Sequence, residues 1–503
     1  MDQKTISELL ECAKASREPT LVGELNINPG GVDPLGLRQI NFRLMDQVIP
    51  GFNNIARHIR PYSLLAWAWH RAASCAKAQG HKQIDPAKMR DFVNRMEFLF
   101  VWSQFLIAPD ADLPGRETFL PYLNRASFRF GDKAWIALCD RRKNSTSLDS
   151  ALNYGPAVKY LGWLVPMKER TFACAEQLVP AITAFEASLG NAIEEPVFQT
   201  IGKIAEISRE AALRIGTAWN LDAPTRLEQD AMQSSLMLRE NNEILSRTAF
   251  CIRECVAYRK FEADYAQIRI DLCGLPSPFA PPPETMSVVA TWRIVQLRQL
   301  FRLALEALLH WTVLTLYEFG HPLSTSQLVD RLLTQAGTAP NLEAWLLAPP
   351  STEASLPERI GYLQDALEDR ENTQGLAMAL REALAFSLSE DHPDMVLQET
   401  DRLPIAQAKH DVATLGGTPL HDALMSILEK WVFGQHVFWA VSRGLGDARA
   451  RGARSILRLK VLQDETGWQL APGINLRSIP RATEDRIETF VSLLKEAGAL
   501  GPS

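Results

Sequence analysis

The chain has 503 residues and a formal net charge of −6, which excludes a uniformly basic nucleic-acid coat protein but allows local basic surfaces. Hydrophobic residues make up 46% and charged residues 22% of the sequence, and these ordinary values exclude extensive disorder. A chain of this length exceeds one ordinary hydrophobic core, so we expect two or three domains.

Several features predict the compartment. The first residues do not have the pattern of a secretory signal, and the seven cysteines are scattered and odd in number, which favours free thiols in a reducing cytoplasm. The most apolar run, residues 307–317, has 11 residues, fewer than the roughly 20 that cross a bilayer. We therefore expect a soluble cytoplasmic protein without membrane contact.

Helical periodicity dominates the sequence, because apolar residues recur at spacings of three and four. Asp85 and Pro86 mark one helix start, as the N-cap and the first helical residue. The predicted helices cover residues 35–48, 62–79, 86 to near 109, 171–189, 203–219, 223 to about 266, 285–319, 356–369 and 373–388.

A proline-rich segment interrupts this pattern. Residues 275–283 contain five prolines in nine positions, a density that no helix or central strand tolerates. We place the main domain boundary there. The prediction is an N-terminal helical domain over 1–275, a connector over 276–284 and a mainly helical C-terminal domain over 285–503.

Strand signals are concentrated near the end of the chain. Residues 455–463 alternate apolar with basic or polar positions, residues 464–467 form a turn, and 468–471 return as a second strand. A closing helix follows over 483–498, with Thr483 as its N-cap and Gly498 at its C-terminal end. The predicted fold class is mainly α: a multi-helix, two-lobed protein with a small C-terminal β-hairpin.

Residues 322–333 predict a short capped helix after a turn. Such a helix often opens a helix-turn-helix or winged-helix domain, with the C-terminal hairpin as the wing. About 120 residues separate the two segments, which is too long for one such domain, so an ordinary capped helix is favoured.

Local catalytic and cofactor motifs are absent from the sequence. It has no phosphate-binding glycine loop, no nucleophile elbow and no zinc-protease motif. The metal candidates lack the spacing of a zinc site, and we interpret them as ordinary helix residues: Cys251, Cys255, Cys273, His421, Asp422 and His436. We predict no metal, no cofactor and no catalytic residue, which favours a non-enzymatic protein.

Three basic islands are the more useful signal. They lie at residues 38–71, 125–143 and 443–460, and each has a net positive charge. Together they suggest a surface for phosphates or for partner proteins, and the alternative is that each is a solvated face or pairs with acidic neighbours. The candidate contact residues are Arg38, Arg43, Arg57, Arg60, Arg141, Arg142, Arg449, Arg451, Arg454, Arg458 and Lys460.

The N-terminal segment has a distinctive order of motifs. Asp33-Pro34-Leu35-Gly36-Leu37 is followed by Val48-Ile49-Pro50-Gly51-Phe52-Asn53 and then by Arg60-Pro61-Tyr62-Ser63. This order resembles the start of a family of large bacterial proteins often found among antiviral defence genes. The closing segments RSILRLKVLQDETGWQL and RATEDRIETFVSLLKEAGAL are similar to the final hairpin and helix of that family.

The resemblance implies an accessory or sensing component that acts with other proteins of an antiviral defence system in a bacterial cytoplasm. Where many relatives have Arg-Ala, this sequence has His58-Ile59. The leading hypothesis is thus a non-enzymatic scaffold or sensor that engages partner proteins. Two alternatives stay open: a DNA-binding module that grips phosphates through the basic islands, and an enzyme whose site assembles from residues distant in sequence.

Overall fold

A computed structural model describes residues 26–27, 33–80, 85–142, 146–238, 240, 242–260, 264–274, 277–346, 354–390, 402–451 and 456–501. The fold is mainly α, as predicted. The α-helices of the described residues are Arg38–Met45, Arg60–Ala78, Pro86–Ile107, Arg116–Phe119, Lys133–Arg142, Gly155–Tyr160, Val179–Ala187, Pro196–Gln199, Arg209–Ala218, Arg226–Met237, Glu243–Tyr258, Tyr265–Cys273, Met286–Phe319, Thr325–Ala336, Leu342–Leu346, Leu356–Glu368, Thr373–Ser389, Ile405–Thr414, Leu420–Ile427, Gln435–Arg451 and Ile487–Glu496.

Strands are short and occur in four pairs among the described residues. Asn26–Ile27 pairs in parallel with Ile456–Leu457, and the other three pairs are antiparallel. The antiparallel pairs are Ser127–Phe130 with Ala205–Ser208, Leu164–Pro166 with Phe172–Cys174, and Val461–Asp464 with Gly467–Leu470.

Local capping chemistry accounts for several helix starts. The Asp85 carboxylate accepts a hydrogen bond from the backbone N–H of Ala87, as its predicted N-cap role requires. Ser324 and Gln327 form the reciprocal capping box that starts the helix predicted after residue 322.

Four predicted helices are wrong in part. The range 203–219 begins with the strand Ala205–Ser208, which pairs with Ser127–Phe130, and its helix starts only at Arg209. The range 171–189 begins with the strand Phe172–Cys174, because this segment pairs with Leu164–Pro166 before a helix starts at Val179. The range 223–266 contains a break after Met237, where Asn242 caps a new helix. The closing helix begins at Ile487 rather than after Thr483, because residues 480–485 have no regular secondary structure and the carbonyl oxygen of Thr483 accepts from Gln299 of the long helix Met286–Phe319.

The C-terminal hairpin is confirmed, with a shorter first strand than predicted. Asp464 lies opposite Gly467, so the loop contains two residues. Residues 456–457 pair with Asn26–Ile27 instead of extending the hairpin. Leu323 bridges to Trp468 of the second hairpin strand, and this places the hairpin beside the capped helix Thr325–Ala336.

Two large apolar cores organise the described residues. The first contains side chains from 48 to 292 together with the closing helix, and the second contains Leu35, Leu37 and side chains from 297 to 468. The long helix Met286–Phe319 supplies Trp292 to the first core and Leu297 to the second, so it runs from one core into the other. The domain boundaries stay a prediction.

Among the described residues, the long helix is the one helix that is long and apolar enough to span a membrane. The stretch Pro283–Phe319 has 37 residues, but 94% of its most apolar window is buried inside the protein. Its apolar surface is therefore covered by other helices, as in the core helix of a soluble protein.

Candidate functional site

The N-terminal motif runs across the junction between the two cores. Leu35 packs in the second core, whereas Ile49 and Phe52 pack in the first. Between them Gly36 has a φ of +70°, and a Cβ at this position would lie 2.3 Å from the ring of Trp439. Glycine is required here by both backbone conformation and close approach. The motif therefore builds a junction between lobes.

Arg60 is a buried structural group at the start of the aromatic helix Arg60–Ala78. Its side chain is 3% exposed, and Nε donates to the carbonyl oxygen of Ala223 at 3.1 Å. Its Nη1 lies 3.4 Å from Glu228 Oε2, and its guanidinium lies 5.4 Å from the centre of the Phe185 ring. Burial lowers the pKa of Arg60, and the nearby Glu228 carboxylate opposes that change.

Arg57 and His58 connect the motif to the closing helix Ile487–Glu496. Arg57 Nη1 lies 2.9 Å from Glu488 Oε1, and His58 Nδ1 lies 2.6 Å from Glu496 Oε1. On the other side of the imidazole, Nε2 lies 3.6 Å from Asp112 Oδ2. Burial disfavours the charged ring, but the carboxylates of Asp112 and Glu496 outweigh it and raise the pKa of His58 to about 9.

Residues 480–485, before the closing helix, are bound to the long helix by side-chain hydrogen bonds. Asp485 accepts from Arg269 Nε at 2.6 Å and from Gln296 Nε2 at 2.6 Å. Arg302 Nη2 donates to the carbonyl oxygen of Arg481 at 2.9 Å. Residues 35–59, residues 480–496 and the long helix thus cross the junction side by side. We call the first two segments the terminal clasp.

Buried charge continues along the long helix into the second lobe. Arg302 Nη1 and Glu306 Oε2 lie 2.7 Å apart, and both side chains are fully buried. Arg38 Nη2 lies 3.9 Å from the same carboxylate oxygen and donates to Arg481 O at 3.4 Å. Burial raises the pKa of Glu306, and the two guanidinium groups oppose that shift.

Lys460 and His436 are also internal. Lys460 is 6% exposed, and its backbone N–H donates to His436 Nε2 at 2.8 Å. His436 Nδ1 lies 2.9 Å from the carbonyl oxygen of Pro34. Burial lowers the pKa of Lys460 and lowers that of His436 to about 4. In this conformation the Lys460 ammonium group is not presented on the surface.

The remaining predicted contact residues are distributed more widely. Arg43 and Arg141 are exposed, and Arg458 is half-buried. Arg142, Arg449 and Arg451 lie in helices, but their side chains are outside the described part of the structure, as is all of Arg454. Their role as contacts stays a prediction, while Arg38 and Arg57 hold the terminal clasp and Arg60 is buried against Ala223 and Glu228.

A polar cleft of about 650 Å³ opens in the first lobe. On one wall Asp91 accepts from Trp135 Nε1 at 2.7 Å and pairs with Arg95 at 2.5 Å. Glu97 is fully buried beneath it and accepts hydrogen bonds from Ser147 Oγ and from backbone N–H groups of the following residues. These contacts satisfy both carboxylates.

Asp149 also lines the cleft, and its backbone N–H donates to Glu97 Oε1 at 3.3 Å. Burial raises its pKa, and Lys159, whose Nζ lies 2.7 Å from Asp149 Oδ1, opposes the increase. The cleft has the size of a small-molecule site, and its acidic groups come from three separate segments.

The sequence's metal candidates have ordinary surroundings among the described residues. Cys251, Cys255 and Cys273 are buried free thiols, and burial raises the pKa of each. His421 Nε2 lies 3.3 Å from Asp330 Oδ1 on the surface.

Comparison with family models, with curated proteins and with solved structures finds no match for this chain. The family resemblance of the N-terminal motif therefore stays an expectation.

The sequence analysis did not predict the carboxylates that surround His58. Asp112, Asp222 and Glu496 surround His58, yet they lie 54, 164 and 438 residues further along the chain. No local spacing rule connects such positions. The usable signal was the N-terminal motif, which drew attention to His58 and its arginine neighbours.

Proposed function

We propose that this chain is a non-enzymatic scaffold or sensor component of a bacterial antiviral defence system and acts with partner proteins in the cytoplasm. The observation that carries the proposal is the terminal clasp. The motif that resembles the defence-associated family uses Arg57 and Arg60 to join segments of the chain, not to line the polar cleft.

A junction of this kind fits a protein whose two lobes are held in one relative arrangement, which a partner protein then recognises. Leu35 anchors the motif in the second core and Phe52 anchors it in the first. A partner that binds across the junction contacts both lobes, so its affinity depends on how the two lobes are arranged.

The described surface also offers apolar side chains suited to protein contact. At the end of the long helix, Tyr317 is 63% exposed and Phe319 is 42% exposed. Aromatic side chains are enriched in protein interfaces because they bury a large area at low entropic cost.

The test combines a phage-infection assay with complex isolation. The gene is deleted in its bacterial host, and protection from phage is measured after complementation with the wild type, with a Tyr317→Ala/Phe319→Ala variant and with a Tyr362→Ala control. Tyr362 is 53% exposed on a different helix, Leu356–Glu368.

The proposal predicts that deletion abolishes protection and that the double variant fails to restore it, whereas the control restores it. The wild-type chain should also co-elute with a protein encoded by a neighbouring gene. Unchanged phage resistance after deletion would refute the defence role.

A second candidate function is an enzyme whose site assembles from distant residues. The cleft lined by Asp91, Glu97 and Asp149 favours it, because burial raises the pKa of Asp149 and a shifted pKa in a cleft is typical of active sites. A melting-temperature screen against nucleotides and sugar phosphates, with Arg170→Ala at the cleft wall as the variant, tests this alternative. It fails if no compound raises the melting temperature of the wild type.

A further inference from the structure

The cluster around His58 has the composition of a metal site. His58 Nδ1, an Asp222 carboxylate oxygen and a Glu496 carboxylate oxygen all lie within 4.8 Å of one another. The imidazole nitrogen is 2.6 Å from Glu496 Oε1 and 3.7 Å from Asp222 Oδ1. The three residues come from the N-terminal motif, from the loop after the helix Arg209–Ala218 and from the closing helix.

These distances are close to what a bound ion needs. Zinc binds nitrogen and carboxylate oxygen at about 2.0–2.2 Å, so neighbouring ligand atoms in a tetrahedral site are roughly 3.4 Å apart. The distance from His58 to Glu496 is shorter than this and the distance from His58 to Asp222 is longer, so ion binding requires the first pair to separate and the second to approach. The Asp222 side chain is 80% exposed, which leaves room for that movement. Glu496 is already held, since its second oxygen accepts from the backbone N–H of Ile59 at 2.8 Å.

The surroundings of the imidazole supply a second, independent observation. Asp112 Oδ2 lies 3.6 Å from His58 Nε2, the ring nitrogen that faces away from the other two carboxylates. A metal-binding histidine usually donates its other N–H to a carboxylate, which fixes the ring and raises its basicity. Asp112 is in the position for that role.

We propose that His58, Asp222 and Glu496 bind one divalent ion of the zinc class, with Asp112 orienting the imidazole. Three protein ligands leave a fourth position for water or for a ligand atom of another molecule. The bound ion would fasten the closing helix to the N-terminal motif. This inference is independent of the defence role.

Calorimetric titration of the tag-free, chelator-treated full chain with Zn²⁺ tests the site, with Mg²⁺ titrated in parallel. The main variant is Asp222→Asn, since this exposed side chain can lose its charge without disturbing a core. Asp110→Asn is the matched control, an exposed carboxylate in the same loop as Asp112. Substitution with Co²⁺ gives an absorption readout of the coordination.

The proposal predicts one saturable Zn²⁺ site in the wild type and in Asp110→Asn, and affinity at least about 10-fold weaker in Asp222→Asn. The visible Co²⁺ bands should be lost in the same variant. Absence of a saturable site, equal affinity in Asp222→Asn, or saturation by Mg²⁺ alone would overturn it.

Discussion

Replacement of Asp485 by asparagine should destabilise the closing helix Ile487–Glu496 more than replacement of any exposed charged residue beside that helix. Asp485 is 4% exposed and accepts hydrogen bonds from Arg269 and Gln296. It therefore holds residues 480–485 against the first lobe and against the long helix. Removal of one partner from a buried ion pair costs about 3–5 kcal/mol. We expect the lower end, about 3 kcal/mol, because Arg269 is 28% exposed and regains water.

Hydrogen exchange measured by mass spectrometry resolves this effect locally. A loss of about 3 kcal/mol corresponds to exchange in the helix Ile487–Glu496 that is faster by on the order of 100-fold. Glu484→Gln is the matched control, because Glu484 is 61% exposed and lies 3.7 Å from Arg57. A surface pair of this kind contributes about 0–1 kcal/mol to stability. Hydrogen exchange in the Glu484→Gln control should therefore be faster than in the wild type by at most roughly 5-fold.

The reasoning would be refuted by either of two results. One is exchange in this helix that is the same in Asp485→Asn as in the wild type. The other is equal acceleration in Asp485→Asn and Glu484→Gln, which would mean that burial of the pair has no special weight.

Three further predictions concern other parts of the molecule. Burial and nearby cations lower the pKa of His310 to about 4, so the unfolded chain binds the extra proton between about pH 4 and 6.5. Stability should therefore fall as pH is lowered from 7 to 5, by about 2 kcal/mol from this group, and a His310→Leu variant should show a shallower pH dependence of its melting temperature. Trp468→Ala should destabilise the second lobe by about 3–5 kcal/mol in denaturant unfolding, because the centres of the Trp468 and Phe433 rings lie 4.1 Å apart in the core. A change in the free energy of unfolding below about 1 kcal/mol contradicts this packing argument. In a salt series with labelled DNA, an Arg449→Ala/Arg451→Ala/Arg454→Ala variant should bind as the wild type does; salt-sensitive binding that the variant loses would favour the DNA-binding alternative.

Prediction from sequence succeeded where the signal was local. The capping residue Asp85 and the capped-helix pattern of residues 322–333 marked helix starts that the structure has, and the turn over residues 464–467 marked the hairpin. These signals depend on neighbours within a few residues, so no tertiary information was needed.

Strands and charge environments depended on distant segments. The strand Ser127–Phe130 pairs with Ala205–Ser208, which the sequence pattern does not connect. Arg43 and Arg60 occupy the same basic island, yet one is exposed and the other is buried against Glu228. Composition cannot separate these cases, because the partner carboxylate is supplied by the tertiary fold.

The central claim is that the chain acts through partner proteins of a defence system. Size-exclusion chromatography with light scattering measures this most directly, on the chain co-expressed with the proteins encoded beside it. The account predicts a stoichiometric complex that forms with the wild type and with Tyr362→Ala but not with Tyr317→Ala/Phe319→Ala. A chain that elutes alone under all these conditions, while its gene still protects the host from phage, would contradict the account.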